Sequence, residues 1–534
     1  MINTVYNGLK EYEQDVRELL MAFFPGETFS YEEKPGAEYT VTVSADSICI
    51  KKDPEGNAAE SDVPELPAPE DAYKKNAAED RADPANIYEN AAANRVNSAN
   101  TYDNAAAAYV LKERFTLTGV RKTDKSTIKR ALYSLLNKLT GKELPYGTLT
   151  GIKPVKLVTG LMQTGQSREE IERELKSVYL ISDEKMRLLL EIADIEEEII
   201  NRVDYKNGGS LYAGGPFCPT TCAYCSFTSY PIALWRDRVP DYINAVKKEA
   251  ELLGKIMKAP LQTIYIGGGT PTSLSAEMLD RYISVIEESL DLSSVAEFTV
   301  EAGRPDSIDR DKLMVLKKHN VSRISINPQT MNDKTFKVIG RRHTAAEIIE
   351  KYYLARELGF DNINMDLIMG LPGENVDDVK YTLSKIEMLK PDSLTVHTLA
   401  VKRAARLNLS GKAWAGEELS EEERRAGGDE AAVMTGLGMQ TARSLGMRPY
   451  YMYRQKNMTG NQENIGYAMP GKENLYNIFM MEERQTIAAC GAGTSSKRLY
   501  PDGKGGRCEN VKDVSIYIDN IEEMLNRKRK LFGS

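Results

Sequence analysis

The sequence predicts an α/β protein: a partial (β/α)6 TIM-like barrel with an α/β amino-terminal extension and a carboxyl-terminal α+β domain. Three observations predict it. Between residues 205 and 404, short β-branched runs alternate with amphipathic helical stretches, the rhythm of a parallel sheet with crossover helices. The 534 residues exceed what one hydrophobic core accommodates. An abrupt change of composition over 52–108 sets a short amino-terminal piece apart from the rest.

Residues 1–51 predict a small α/β unit, with a helix over 7–23 followed by the alternating strand pattern "YTVTVSADSICIKK". Residues 52–108 are rich in Ala, Asn, Asp and Glu, and "ANIYENAAA" recurs as "ANTYDNAAA". Too little apolar mass is present to repay the entropy of ordering, which predicts a disordered insert. Residues 109–204 predict a helical region; "DKSTIKRALYSLLNKLTG" has apolar residues at 3–4 spacing, Ser126 or Thr127 as N-cap and Gly141 as stop. The barrel region 205–404 has six strand candidates, 210–214, 263–267, 297–301, 323–327, 362–368 and 393–399, with helices between them. A parallel barrel of this kind carries its active groups on loops at the carboxyl ends of the strands. Residues 405–534 mix a helix, a strand with a polar loop, and a strand–glycine–strand, and predict a separate carboxyl-terminal domain.

The formal net charge of −8 argues against non-specific nucleic-acid binding, which draws on a basic surplus. No run of about 18 apolar residues predicts a membrane span, and the charged, amphipathic start does not resemble a signal peptide. The expectation is a soluble cytoplasmic protein, whose six cysteines are free thiols.

Half of those cysteines stand in "LYAGGPFCPTTCAYCSFTSYP": Cys218, Cys222 and Cys225, spaced Cys-x3-Cys-x2-Cys, just after the first barrel strand. Soft thiolates favour iron–sulfur clusters, zinc or copper(I). Structural zinc takes four ligands, and no second Cys or His pair follows at suitable spacing. Three thiolates can hold three irons of a cubane and leave the fourth iron open. "YIGGGTPTSLS" ends the second strand with Gly267, Gly268 and Gly269, which let a polar ligand approach the backbone. Glu301, Gln329 and Asp366 lie at or near the ends of later strands. Arg341 and Arg342 are available to meet carboxylates. Cys49 and Cys490 read as small core residues and Cys508 as a loop thiol.

With Tyr224 before the third cysteine, after "Y-x-x-x-P-F-C", the loop resembles that of radical S-adenosylmethionine enzymes. "GGGTPT" and "DLIMGLPGE" place it near the oxygen-independent coproporphyrinogen III dehydrogenase family. "PFCPTTCAYCSFTSYP", "ELPYGTLTGIKP" and "YYMYRQKNMTGNQENIGYA" are similar to its HemZ-type branch. The resemblance implies that Cys218, Cys222 and Cys225 bind a [4Fe–4S] cluster whose unique iron is chelated by S-adenosylmethionine. It implies Tyr212 beside the cluster, and Gly268, Gly269 and Thr270 on the methionine part. Glu301, Gln329, Arg341 and Asp366 match positions that hold the nucleoside or a second S-adenosylmethionine, and Ile368 a position that packs on adenine. The implied reaction is oxidative decarboxylation of coproporphyrinogen III propionates to vinyls, giving protoporphyrinogen IX in haem biosynthesis. The implied partners are a tetrapyrrole substrate and an electron donor such as flavodoxin or ferredoxin.

The chain departs from the family at several positions. Gly214 stands where relatives often carry histidine, Gly215 where they carry an apolar residue, and Phe227 where some carry a fourth cysteine. The related haem chaperones carry a His-Asn-x-x-Tyr-Trp string, matched here by "ENIGYA", with Glu463 for histidine and Ala468 for tryptophan. A haem-binding, chaperone-like role is the second reading, with only His319, His343 and His397 as imidazoles. Another radical reaction on a tetrapyrrole is the third.

Overall fold

The computed structural model describes residues 1–25, 27–52, 109–151, 153–400, 421–455, 458, 462–500 and 505–533. The expected disordered insert, 52–108, lies outside the described residues apart from Lys52. Two compact units form, one from Met1–Thr150 with Gln166–Arg187, the other from Gly151–Gly165 with Leu188–Ser534.

The first unit is built on strands β1 (Ile2–Asn7), β2 (Phe29–Ser30), β3 (Tyr39–Ser44), β4 (Ser47–Lys52) and β5 (Tyr109–Arg114), in the order β2-β1-β3-β4-β5. Helices Glu13–Phe23 and Arg121–Thr140 cover the sheet, and Val16, Leu19, Phe23, Val41, Ile48, Ile128 and Leu132 share its core. Three expectations change here. Residues 2–7 form a strand, parallel to β3, so the helix expected from residue 7 begins at Glu13. Residues 109–114 are not the start of a helical region but a strand antiparallel to β4, with Ser47 opposite Arg114. The insert therefore interrupts one pair of strands, and the expected boundary between 1–51 and 109–204 is crossed by backbone hydrogen bonds. The following helix starts at Arg121, ahead of Ser126 and Thr127, because the Asp124 carboxylate turns back to accept the Thr118 and Gly119 N–H groups. Gly141 ends it at φ 64°, as expected of a left-handed stop.

The second unit contains all six expected barrel strands: β6 (Gly209–Gly215), then β9 (Leu261–Gly268), β10 (Glu297–Gly303), β11 (Arg323–Ile326), β12 (Ile363–Met369) and β13 (Ser393–Thr398). Between β6 and β9 lie the two-residue strands β7 (Phe217–Cys218) and β8 (Tyr230–Pro231). Each barrel strand is parallel to its neighbours, in the order β6-β9-β10-β11-β12-β13. Crossover helices such as Val239–Ile256, Ala276–Ser289 and Val376–Leu389 bury one apolar face each.

The region expected to form a separate carboxyl-terminal domain instead extends this sheet. Strands β14 (Arg448–Tyr453) and β15 (Asn464–Ala468) add antiparallel beyond β13, and β16 (Thr486–Cys490) adds parallel beyond β6. Strands β17 (Ser495–Leu499) and β18 (Gly505–Glu509) continue from β16. A six-stranded partial barrel leaves two edges with unpaired N–H and C=O groups, and these strands satisfy both. Cys508 accordingly lies in a strand rather than a loop, and Cys49 is half-buried in β4.

Candidate radical active site

The barrel strands alternate, and their inward rows are polar. Glu297, Thr299 and Glu301 share one face of β10; Asn364 and Asp366 share one of β12; Ser393, Thr395 and His397 share one of β13. The lower layer is hydrogen-bonded throughout. Arg323 donates to Asn362 and Ser393 at 2.8 and 2.7 Å, and Glu297 accepts the Leu475 and Tyr476 N–H groups at 2.8 and 3.3 Å. Above it the rings of Tyr212, Tyr265 and Tyr476 stack with centroids 4.8–6.0 Å apart.

The cysteine loop lies at the carboxyl end of β6. Thr220 Oγ1 donates to the Gly340 carbonyl at 3.1 Å, the Ala223 N–H to Ile339 at 2.9 Å, and the Tyr230 N–H to Pro216 at 2.8 Å. The GGGT segment is laced to the same loop: the Gly269 N–H reaches the Gly215 carbonyl at 3.0 Å and the Thr270 N–H reaches Phe217 at 2.7 Å. Thr270 Oγ1 lies 3.6 Å from Cys218 Sγ. A Cβ at Gly269 would come within 2.6 Å of two carbonyl oxygens, so the close approach requires glycine.

Burial pushes the Cys218 thiol up to about 11 and raises that of Cys225. Burial also opposes ionisation of Cys222, but the Arg341 and Arg304 guanidiniums outweigh it and hold that thiol below its ordinary value. Arg341 in turn donates to the Tyr224 hydroxyl at 3.0 Å and to the Asn327 carbonyl at 2.6 Å.

Deeper in the barrel two carboxylates have opposite character. Burial, reinforced by the Asp366 charge, raises the Glu301 carboxyl to about 7, against the Tyr265 hydroxyl bond at 2.5 Å and the Gly268 N–H. Asp366 is also desolvated, but His397, Asn364 and Thr395 hold it below its ordinary value. His397 Nε2 stands 3.9 Å from Asp366, with its Nδ1 3.4 Å from the Tyr453 hydroxyl. Two titratable groups pushed apart in this way suit one proton carrier and one permanent negative charge.

Gln329 sits at φ 67°, held between the Asp366 carbonyl and the Ile368 N–H, and its Oε1 is buried with no hydrogen-bond partner. Such a strained, orphaned acceptor fits a site completed by a ligand. Three free thiols on one loop are the donor set of an iron–sulfur cluster. Among the described residues no three His, Cys, Asp or Glu side chains form a ligand group for one metal ion. A cubane bonds each thiolate to a different iron, so its ligands ring the cluster instead of converging on a point.

The structure thus brings Cys218, Cys222, Cys225, Tyr224, Gly268, Gly269, Thr270 and Arg341 together at the loop, with Tyr212, Glu301, Gln329 and Asp366 inside the barrel. Ile368 is buried on β12. Tyr265, Tyr476, Arg304 and Thr494 join them without having been singled out from the sequence, as does His397, which the sequence offers only as an imidazole for haem. Inward alternation from Gly267 and Asp366 along the paired strands marks Tyr265 and His397; no local pattern marks the others. A cavity of about 230 Å³ opens beside the loop, lined by residues including Gly214, Gly215, Thr228, Thr494 and Lys512. A Cβ at Gly214 would meet Thr494 Cγ2 at 2.5 Å. Thr494 occupies the space that a histidine at 214 would need.

Residues 212–386 match the model of the radical SAM superfamily. The chain is 43% identical over 412 residues to the oxygen-independent coproporphyrinogen-III oxidase-like protein HemZ of Bacillus subtilis, covering 76% of this chain and 80% of that protein. The chain belongs to this HemZ-type branch of the radical SAM superfamily. It is also 33% identical over 317 residues to the haem chaperone HemW of Bacillus subtilis, covering 59% of this chain and 76% of that one. Coproporphyrinogen III oxidase (HemN) from Escherichia coli, described as a radical SAM enzyme, aligns with a TM-score of 0.48 and 19% identity over 62% of this chain and 73% of its own. A HemZ-type radical SAM protein has a [4Fe–4S] cluster and S-adenosylmethionine as cofactors. Among the described residues, no helix is long and apolar enough to cross a membrane.

Proposed function

We propose that this HemZ-type protein oxidatively decarboxylates coproporphyrinogen III propionates to vinyls, acting in the cytoplasm with a one-electron donor of flavodoxin or ferredoxin type. The observation that carries the reading is the three-cysteine loop beside a cavity at the carboxyl end of β6, in a chain 43% identical to a protein named as oxygen-independent coproporphyrinogen-III oxidase-like. Cys218, Cys222 and Cys225 hold the cluster. Tyr212, Gly268, Gly269, Thr270, Glu301, Gln329, Arg341, Asp366 and Ile368 hold S-adenosylmethionine, in one molecule or, as the family resemblance implies, in two. When bound, these groups would supply abstraction of a hydrogen atom from a propionate β-carbon; loss of carbon dioxide and transfer of the remaining electron to a separate one-electron acceptor would then leave the vinyl group.

The chain's own residues prepare the place for that chemistry. The glycines at 267–269 admit a ligand against bare backbone; a Cβ at Gly267 would meet the Glu301 carboxylate at 2.8 Å. The tyrosine stack closes the barrel beneath the site and excludes water. Glu301, hydrogen-bonded by Tyr265, carries or releases a proton near neutral pH, while Asp366 stays ionised and attracts a cationic ligand.

The test is anaerobic reconstitution with iron and sulfide, then incubation with coproporphyrinogen III, S-adenosylmethionine and dithionite. Vinyl-bearing product and stoichiometric carbon dioxide are expected. A loaded cluster that cleaves S-adenosylmethionine without vinyl product would sink the substrate assignment. Stoichiometric haem retention without turnover would instead favour the chaperone-like reading, which the HemW relative supports and which Glu463, in place of the chaperones' histidine, disfavours.

A further inference from the structure

Arg304 follows β10 and is 3% exposed, yet it is not among the residues that the family resemblance assigns to the cofactors. Its Nη1 donates to the Thr220 carbonyl at 2.9 Å, to Thr220 Oγ1 at 2.8 Å and to Cys222 Sγ at 3.7 Å. Its Nε and Nη2 form a fork onto the Asp306 carboxylate at 2.9 and 2.6 Å. Asp306 also stands 3.6 Å from Nδ1 of the fully buried His343 side chain. The guanidinium is thus locked in one rotamer, with the edge that Asp306 does not cover turned toward sulfur. Asp306 offsets part of the charge from behind, but the dipole of the pair keeps its positive end at Cys222. A plain loop pin needs only the Thr220 bonds; the sulfur contact goes beyond that.

We infer that Arg304 is a positioning residue that raises the reduction potential of the cluster held by Cys218, Cys222 and Cys225, by hydrogen-bonding and electrostatically stabilising the Cys222 thiolate. The inference rests on the ligand reading above. Taking up one electron from a flavodoxin- or ferredoxin-type donor adds one negative charge to the cluster, and a fixed cation in a desolvated site favours the more negative state. Hydrogen bonds to ligand sulfur act in the same direction. Arg341, whose guanidinium also favours the Cys222 thiolate, shares the task, which is why removing Arg304 alone shifts the potential without abolishing reduction.

The wild type, R304M, R304Q and R304K are reconstituted anaerobically without S-adenosylmethionine, and the one-electron midpoint is read by redox titration with EPR of the reduced cluster. R304M and R304Q are expected to have lower midpoints, so that at a fixed potential the reduced-to-oxidised ratio falls about tenfold, equivalent to about 59 mV. R304K, which keeps the charge and loses the fork, is expected between them and the wild type. Should R304M lose iron, R304Q against R304K decides. Unchanged midpoints in R304M and R304Q overturn the inference, as does loss of the cluster in all three variants, which would make Arg304 a structural pin alone. A wild type that takes up no cluster overturns the ligand reading, and this inference with it.

Discussion

Glu301 shows how one side chain ties the site to the stability of the fold. Burial and the Asp366 charge raise its carboxyl from an ordinary 4.5 to about 7. Below about pH 4.5 it is protonated in folded and unfolded chains alike, and its burial is fully compatible with folding. As pH rises from about 4.5 to about 7, the unfolded chain releases this proton while the folded chain still holds it, so stability is lost over that window and levels off above it. E301Q is therefore expected to remove this loss, about 3 kcal/mol between about pH 4 and 8, in urea unfolding of the metal-free protein. Unchanged pH dependence would show that the carboxyl is solvated. Glycine positions give a second contrast at this scale. G269A drives a methyl into the Gly215 and Phe217 carbonyls and is expected to cost about 1–3 kcal/mol and impair iron loading. G215A, whose Cβ meets nothing nearer than 3.9 Å, is expected to unfold at the wild-type midpoint.

At the scale of elements, the cysteine loop is a short excursion pinned at both ends, by Pro216 to Tyr230 and by Thr220 and Ala223 to the 339–340 turn. Each cysteine is a free thiol on a preformed scaffold. Replacing Cys222 with alanine is expected to abolish iron–sulfur absorbance and bound iron while leaving the far-ultraviolet circular dichroism intact. Retention of four irons per chain would exclude Cys222 as a ligand. The inward rows of the strands explain what was legible here. Period-2 alternation places Glu301 and Asp366 on the lumen face, and the same alternation points to Thr299, Asn364 and His397. Arg304 escaped because a single arginine after a strand looks like a solvated charge; only the fold reveals the Thr220, Asp306 and Cys222 contacts that bury it.

At the scale of the barrel unit, the carboxyl-terminal segment helps to build the candidate site. Its β16 pairs in parallel with β6, and the turn after it carries Thr494 to the cavity wall. A buried ion pair anchors that turn. Glu249, from the helix after β8, bonds Lys528 at 2.5 Å, the Tyr517 hydroxyl at 2.5 Å and the Gly491 N–H at 2.7 Å. Both charged side chains are almost wholly excluded from solvent. E249A strands the Lys528 ammonium and is expected to cost about 3–5 kcal/mol in chemical denaturation, whereas the double variant E249M/K528M is expected to recover part of it, since the Gly491 N–H and Tyr517 hydroxyl still lose their acceptor. An equal loss in both would mean that hydrogen bonding and packing, not charge pairing, hold the turn.

The sequence by itself determined the parallel barrel, its six strands and the loop chemistry, because these are written in local signals: strand–helix periodicity, a glycine run, and three thiols within eight residues. Tertiary structure decided what depends on distant partners. It joined 47–52 to 109–114 across the insert, placed β16 beside β6, filled the space at Gly214 with Thr494 and turned Arg304 onto Cys222. Strand edges, side-chain clashes and buried charges are satisfied by whichever residue the fold delivers, and its distance along the chain leaves no local mark. The cofactor loop was legible in one short stretch, while the residues that shape and tune it come from segments up to about 280 positions away.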